Sequence, residues 1–185
     1  MKKLTCLLAF LLCGCFFSTP QSRFYLLENG GGQAVSDKKM VIAVQDILVP
    51  EYLDRPQIVL QYADKTELKI SEFDRWATSL NTLLQTGLIN NLSEYFPQAT
   101  VIPLVYGVNA KYVVQTDVET FSGDLNADAY FSGSWKIMNA NGRVLKENKF
   151  SFSSKTGNSY DAYVKTQSVL LQKLAEEIAE NIQKL

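Results

Sequence analysis

The side chains that could perform chemistry in this chain are few: cysteines at positions 6, 13 and 15, no histidine, and 19 acidic residues. Without histidine the commonest general base and the commonest metal ligand are both missing, which excludes serine-histidine, cysteine-histidine and histidine-metal mechanisms. Asp117, Glu119, Asp124 and Asp128 lie close enough in sequence to suggest a metal site or a glycosidase pair. Spread over adjacent antiparallel strands and a turn, however, they are what a solvated sheet face carries. Glu176, Glu177 and Glu180 read as the wet side of a helix. The Gly30-Gly31-Gly32 run lacks the lysine and following helix of a phosphate loop and reads as a flexible loop. No constellation for catalysis, metal or cofactor emerges, so the expected protein is not an enzyme.

One cysteine retains a chemistry of its own. Lys2 and Lys3 form a positive n-region and residues 4–12 an apolar run too short to span a bilayer as a finished helix, followed by the small Gly14. Residues 1–14 therefore read as a secretory signal peptide. The sequence Leu12-Cys13-Gly14-Cys15 resembles the bacterial lipoprotein box. That resemblance implies a diacylglyceryl thioether on Cys15, cleavage before it, and acylation of the new amino group by a fatty acid such as palmitate. Cys13 is a poor rival because bulky Leu12 would occupy the small-residue position. Two or more acyl chains give stable anchoring where one gives only marginal binding. In such lipoproteins an aspartate after the cysteine is the usual signal for inner-membrane retention; Phe16 stands here, which favours the periplasmic leaflet of the outer membrane.

Removal of the leader takes away Cys6 and Cys13 with it, and lipid consumes Cys15, so the mature domain is expected to have neither a disulfide nor a free thiol. Residues 15–22 form a lipidated tether, of which residues 16–22 reach only about 25 Å. Residues 23–185 are enough for one domain with a sizeable core. The mildly acidic balance gives no sign of a nucleic-acid surface or a polybasic lipid patch.

The elements of that domain follow from periodicity. Residues 23–27 read as a first strand. Met40, Ile42 and Val44 alternate with Val41, Ala43 and Gln45, predicting a strand whose first-named face is the more deeply buried and that Pro50 closes. Residues 57–62 and 67–70 are shorter strands joined by a turn at residues 63–66. From Phe73 the period becomes helical, with Phe73, Trp76, Ala77, Leu80, Leu83, Leu84, Leu88 and Leu92 on one stripe and Ser71 as the expected N-cap. Strands are expected at residues 100–104 and 110–121, then a pair at 125–137 and 143–154 joined by the hairpin dipeptide Asn141-Gly142. A second helix is expected over residues 160–182, capped by Asn158 or Ser159. This order predicts an α+β single-domain sandwich, one largely antiparallel sheet with two long helices on one face.

Three stretches carry a further resemblance: Phe24-Tyr25-Leu26-Leu27; the run from Val49-Pro50-Glu51-Tyr52-Leu53-Asp54-Arg55-Pro56 to Val59; and Phe73-Asp74-Arg75-Trp76-Ala77 with Leu80, Asn91 and Leu92. With Cys15 in the same order, they resemble the ABC-type transport auxiliary lipoprotein family. Thr78-Ser79 departs from the glutamate-proline pair that the family often has. The resemblance implies an outer-membrane lipoprotein of an intermembrane lipid transport system, forming a ring that docks a periplasmic tube of MCE domains. A structural accessory of an envelope assembly or secretion machine is the alternative. Tyr52, Leu53, Asp54 and Arg55 end an apolar extension longer than its strand needs and are the expected contact between subunits or with a partner.

Overall fold

The computed structural model describes residues 20–62 and 66–185. Cys15, the signal peptide and most of the turn at residues 63–66 lie outside the described residues. The elements run in the order β1 (Arg23–Tyr25), β2 (Val41–Val44), a 3-10 turn (Glu51–Leu53), β3 (Gln57–Gln61), β4 (Leu68–Trp76), α1 (Leu80–Tyr95), β5 (Thr100–Pro103), β6 (Tyr112–Gly123), β7 (Asp128–Asn139), β8 (Val144–Lys155) and α2 (Tyr160–Gln183). The α+β class is as expected, with the two helices packed against each other and against sheet.

The strands form two sheets instead of one, β1-β4-β3 and β5-β2-β6-β7-β8. The long hairpins β6–β7 and β7–β8 are antiparallel, whereas β1 pairs parallel with β4, and β2 runs parallel to both β5 and β6. Periodicity shows that a strand exists but not which strand it lies beside. The mixed pairing is therefore a tertiary result. The hairpin is as its residues demand: Gly142 takes a positive φ of 75°, and Asn139 Oδ1 accepts from the backbone N–H groups of Asn141 and Arg143 at 3.0 Å each.

The expectation of a helix from Phe73 is corrected. Residues up to Trp76 continue β4, and α1 begins only at Leu80. The backbone of the Phe73-to-Trp76 stretch is held from both sides, by β1 through Arg23↔Asp74 and Tyr25↔Trp76 and by β3 through Gln57↔Arg75. Those ladder bonds outweigh a local helical period. Ser71 does not cap a helix; its hydroxyl accepts from the Asp74 N–H at 2.9 Å and donates to the Asp74 carboxylate at 3.1 Å. The N-cap position belongs to Ser79, the residue that departs from the family pattern. From there the stripe is as expected, with Leu80, Leu83, Leu84, Leu88 and Leu92 buried. The second helix starts as its cap residue requires, with Ser159 Oγ accepting from the Ala162 N–H at 3.2 Å.

The core lies between the helices and the inward faces of the sheets. A file of aromatic rings crosses it from β4 to β8, Trp76 to Phe121 (6.0 Å), Phe131 (5.1 Å) and Phe150 (4.9 Å) in succession. The segment after β1 straps the helices from outside, the Glu28 N–H donating to Ser168 Oγ, Gly30 N–H to Asn91 Oδ1, and Gln172 Nε2 to the Gly31 carbonyl. The glycine run is thus tied across both helices rather than loose. Glu177, expected on the wet side of α2, accepts from Trp135 Nε1 and from Asn148 Nδ2 at 3.0 Å each, pinning α2 to β7 and β8.

Candidate functional site

The three sequence phrases, up to about fifty positions apart, meet in the three-stranded sheet. Phe24-Tyr25 is β1, the Arg55-Pro56-Gln57 stretch leads into β3, and Asp74-Arg75-Trp76 ends β4 between them. The Trp76 N–H donates to the Pro56 carbonyl at 2.7 Å and the Ala77 N–H to the Tyr25 carbonyl at 2.8 Å, so the third phrase is bonded to both of the others.

Register partners share a face, and the two faces of this sheet differ. On the inner face Asp74, its side chain 8% exposed, receives Arg23 at 2.7 Å, the Tyr25 hydroxyl at 3.0 Å and the Ser71 hydroxyl. A shielded carboxylate with three donors is fully provided for. Burial, together with the hydrogen bond to the Asp74 carboxylate and its charge, pushes the Tyr25 phenol up to about 12. Charging that hydroxyl would both bury an anion and place it beside another. The cluster therefore acts as a clasp holding β1, the first strand after the tether, onto the domain.

The outer face is different in kind. Phe24 opposes Arg75 and Gln57 opposes the same Arg75; past a shift in register, Ile70 opposes Val59, which is buried in the core. Phe24 is 65% exposed and Ile70 46%. Arg55 and Arg75 each keep a shielded Nε without a hydrogen-bond acceptor, a condition that costs about 1–3 kcal/mol for each group left unsatisfied.

Of the expected contact residues, Leu53 is buried and joins the core from the 3-10 turn, and Tyr52 packs partly buried against that core. Burial pushes the Tyr52 phenol up. Asp54 is exposed and Arg55 half-buried. The acidic residues Asp117, Glu119, Asp124 and Asp128 lie along β6, its following turn and the start of β7, with Asp117 accepting from Gln115 and Asp128 paired with Lys155 at 3.5 Å.

A second surface, not anticipated from the sequence, is the side of the five-stranded sheet away from the helices. Ile102, Ala43, Val113, Met138 and Val144 form one cross-strand row through all five strands. The connection from β5 to β6 lies against that row, with Leu104 and Val108 beside Val113 and Met138 around a depression of about 220 Å³. Ala43 is consequently buried although it lies on the side where alternation predicted shallower burial. The tip of the connection leaves Tyr106 fully exposed. Alternating apolar residues on β7 signalled only its core face; a row built one residue per strand has no signature within any single strand.

No helix among the described residues is long and apolar enough to cross a membrane. The fold and its small sheet define a class of single-domain α+β proteins already seen in solved structures. One, of a protein solved as uncharacterized, superposes with a TM-score of 0.75 at 23% identity over 88% of this chain and 99% of its own. Another, from Xanthomonas campestris, gives 0.71 at 14% identity over 85% and 92%. The chain belongs to the ABC-type transport auxiliary lipoprotein component family, whose pattern matches residues 25–179. It is accordingly an auxiliary lipoprotein of a transport system. It is similar, at 28% identity over the full length of both chains, to the intermembrane transport lipoprotein PqiC of Escherichia coli (strain K12), and to the protein of the same name from Shigella flexneri.

Proposed function

We propose that this lipoprotein is anchored through Cys15 in the periplasmic leaflet of the outer membrane and serves an intermembrane lipid transport system. There it docks the far end of an MCE-domain tube that is built from the inner membrane. The observation that carries the reading is the similarity to intermembrane transport lipoproteins over the whole chain, leader included. The tether agrees with it. Seven residues between Cys15 and Arg23 reach about 25 Å, so a domain held this close to its membrane meets a partner that comes to it.

The turn carrying Tyr52, Leu53, Asp54 and Arg55 is the proposed contact between subunits or with the tube. Leu53 holds the turn from inside, and Tyr52, Asp54 and Arg55 present its outer side. A head-to-tail contact whose rotation closes generates a ring, the assembly proposed here. The test is cross-linking of the chain in envelopes followed by detergent solubilisation and pull-down. Recovery of an MCE-domain protein is the expected result. Recovery of secretion or surface-polymer components in its place would overturn the transport reading.

A further inference from the structure

We propose that the free edge of β8 is the surface on which each subunit receives the Glu51–Leu53 turn of the next copy of this chain, with the carboxylates of Glu51 and Asp54 meeting Lys146 and Lys149. This rests on the head-to-tail ring proposed above and names the second surface that such a ring needs.

Position is the first argument. A head-to-tail contact joins two different surfaces of the same chain, and the turn and β8 lie on opposite sides of the five-stranded sheet. Leu48, three residues before the turn, bridges to β6 on the side that β2 occupies, its N–H donating to the Thr116 carbonyl at 3.3 Å and its carbonyl accepting from the Val118 N–H at 2.9 Å. β7 and β8 follow on the other side of β6, which puts about 14 Å between the line of Leu48 and that of β8. β8 pairs with β7 alone among the described strands, so one side of its 12 residues has no ladder partner. The other outer strand of the sheet, β5, has only 4 residues and ends in Pro103. Among the described residues β8 is therefore the long open edge of this sheet.

Charge is the second argument. Glu51 and Asp54 are both exposed, and residues three apart in a 3-10 turn project on the same side, so the two carboxylates leave the turn together. The turn's own cation, Arg55, is half-buried with its Nε shielded. On β8, Lys146 and Lys149 are exposed, and the alternation of side chains along a strand sends them to opposite faces, so they bracket the edge. Glu147, between them, opposes Lys136 of β7, which offsets its charge. Among the described residues none of Glu51, Asp54, Lys146 and Lys149 takes part in an ion pair. Beside the lysines, Val144 is 43% exposed and Leu145 36%, an apolar step suited to the half-buried Tyr52 ring. The turn thus matches the β8 edge in charge and in polarity, whereas two such turns brought together would oppose like charges.

The test uses the full lipidated chain purified in detergent, with the mass of the protein component read by light scattering. Glu51→Lys with Asp54→Lys in one variant, and Lys146→Glu with Lys149→Glu in another, should each lower the mass from that of the ring to that of a single chain, with thermal melting unchanged. Mixed in equal amounts, the two variants should regain the ring, because every turn then meets an edge of opposite charge. A second measurement keeps the charges of the partner surface native. After processing, a cysteine introduced by Asp54→Cys or by Lys149→Cys is the only free thiol, and mild oxidation of the mixed chains should join unlike chains, while either chain alone should stay unjoined. Charge variants that each keep the ring, or that stay single chains when mixed, would overturn the pairing and leave the wild-type ring standing. A disulfide between two Asp54→Cys chains would also overturn it, by placing turn against turn. A wild type that is a single chain even at high concentration would overturn the ring reading and this inference with it.

Discussion

Tyr25→Phe deletes one oxygen from the clasp between β1 and β4. The hydroxyl donates to the Asp74 carboxylate at 3.0 Å, and a hydrogen bond to a charged acceptor contributes about 1.5–3 kcal/mol. The carboxylate keeps Arg23 and Ser71, so the lower end of that range applies, about 1.5 kcal/mol. For a domain of this size it corresponds to a fall in melting temperature of about 3–6 °C. The pH dependence makes the test specific. The Tyr25 phenol is raised from 10.0 to about 12 in the folded protein, so the proton is held more tightly folded than unfolded. Its contribution is fully present below pH 10 and is lost as the pH rises through about 12. The gap between wild type and Tyr25→Phe should thus be constant from pH 7 to 9, shrink above 10, and invert near 12, where a tyrosinate would face the carboxylate. Burial also raises the phenols of Tyr52, Tyr95 and Tyr163, but these are common to both proteins and cancel in the difference. Melting followed by circular dichroism across this range gives the answer. An unchanged melting temperature at pH 7, or a gap that widens with pH, would refute the clasp.

Trp76→Ala should cost about 3–5 kcal/mol, since the indole is buried and meets Phe121; unchanged melting with lost partner binding would show instead a role at the surface. Gly133→Ala should cost about 1–3 kcal/mol by overpacking, because a Cβ there would run into the Asp117 carbonyl on β6, and urea unfolding measures it. Cys15→Ala should abolish labelling by palmitate and release the domain from membranes, whereas Cys13→Ala should do neither. Tyr52→Glu should lower the mass seen by light scattering without unfolding the chain; a wild type that stays monomeric at high concentration would remove the ring.

The sequence by itself determined what depends on neighbours within a turn or two of chain. The β7–Asn141-Gly142–β8 hairpin, the Ser159 cap, the apolar stripes of both helices and the α+β class were all legible, because periodicity, caps and turn residues act locally. The proposed anchoring through Cys15 rests on sequence alone, on a motif outside the described residues. Tertiary structure alone decided the fate of Phe73-Asp74-Arg75-Trp76. These residues have a helical period, but β1 and β3 lie on either side of their backbone, and the partner strands come from some fifty and eighteen positions away. It also decided that β2 is inserted in parallel between β5 and β6, which buries Ala43 on the side where alternation predicted shallower burial, and that half-exposed Glu177 accepts from an indole. The same long-range pairing turns three separate phrases into one sheet with a satisfied carboxylate inside and two arginines whose Nε groups lack an acceptor. Which residues lie opposite one another is set by register between distant strands, and no single stretch of chain contains that information.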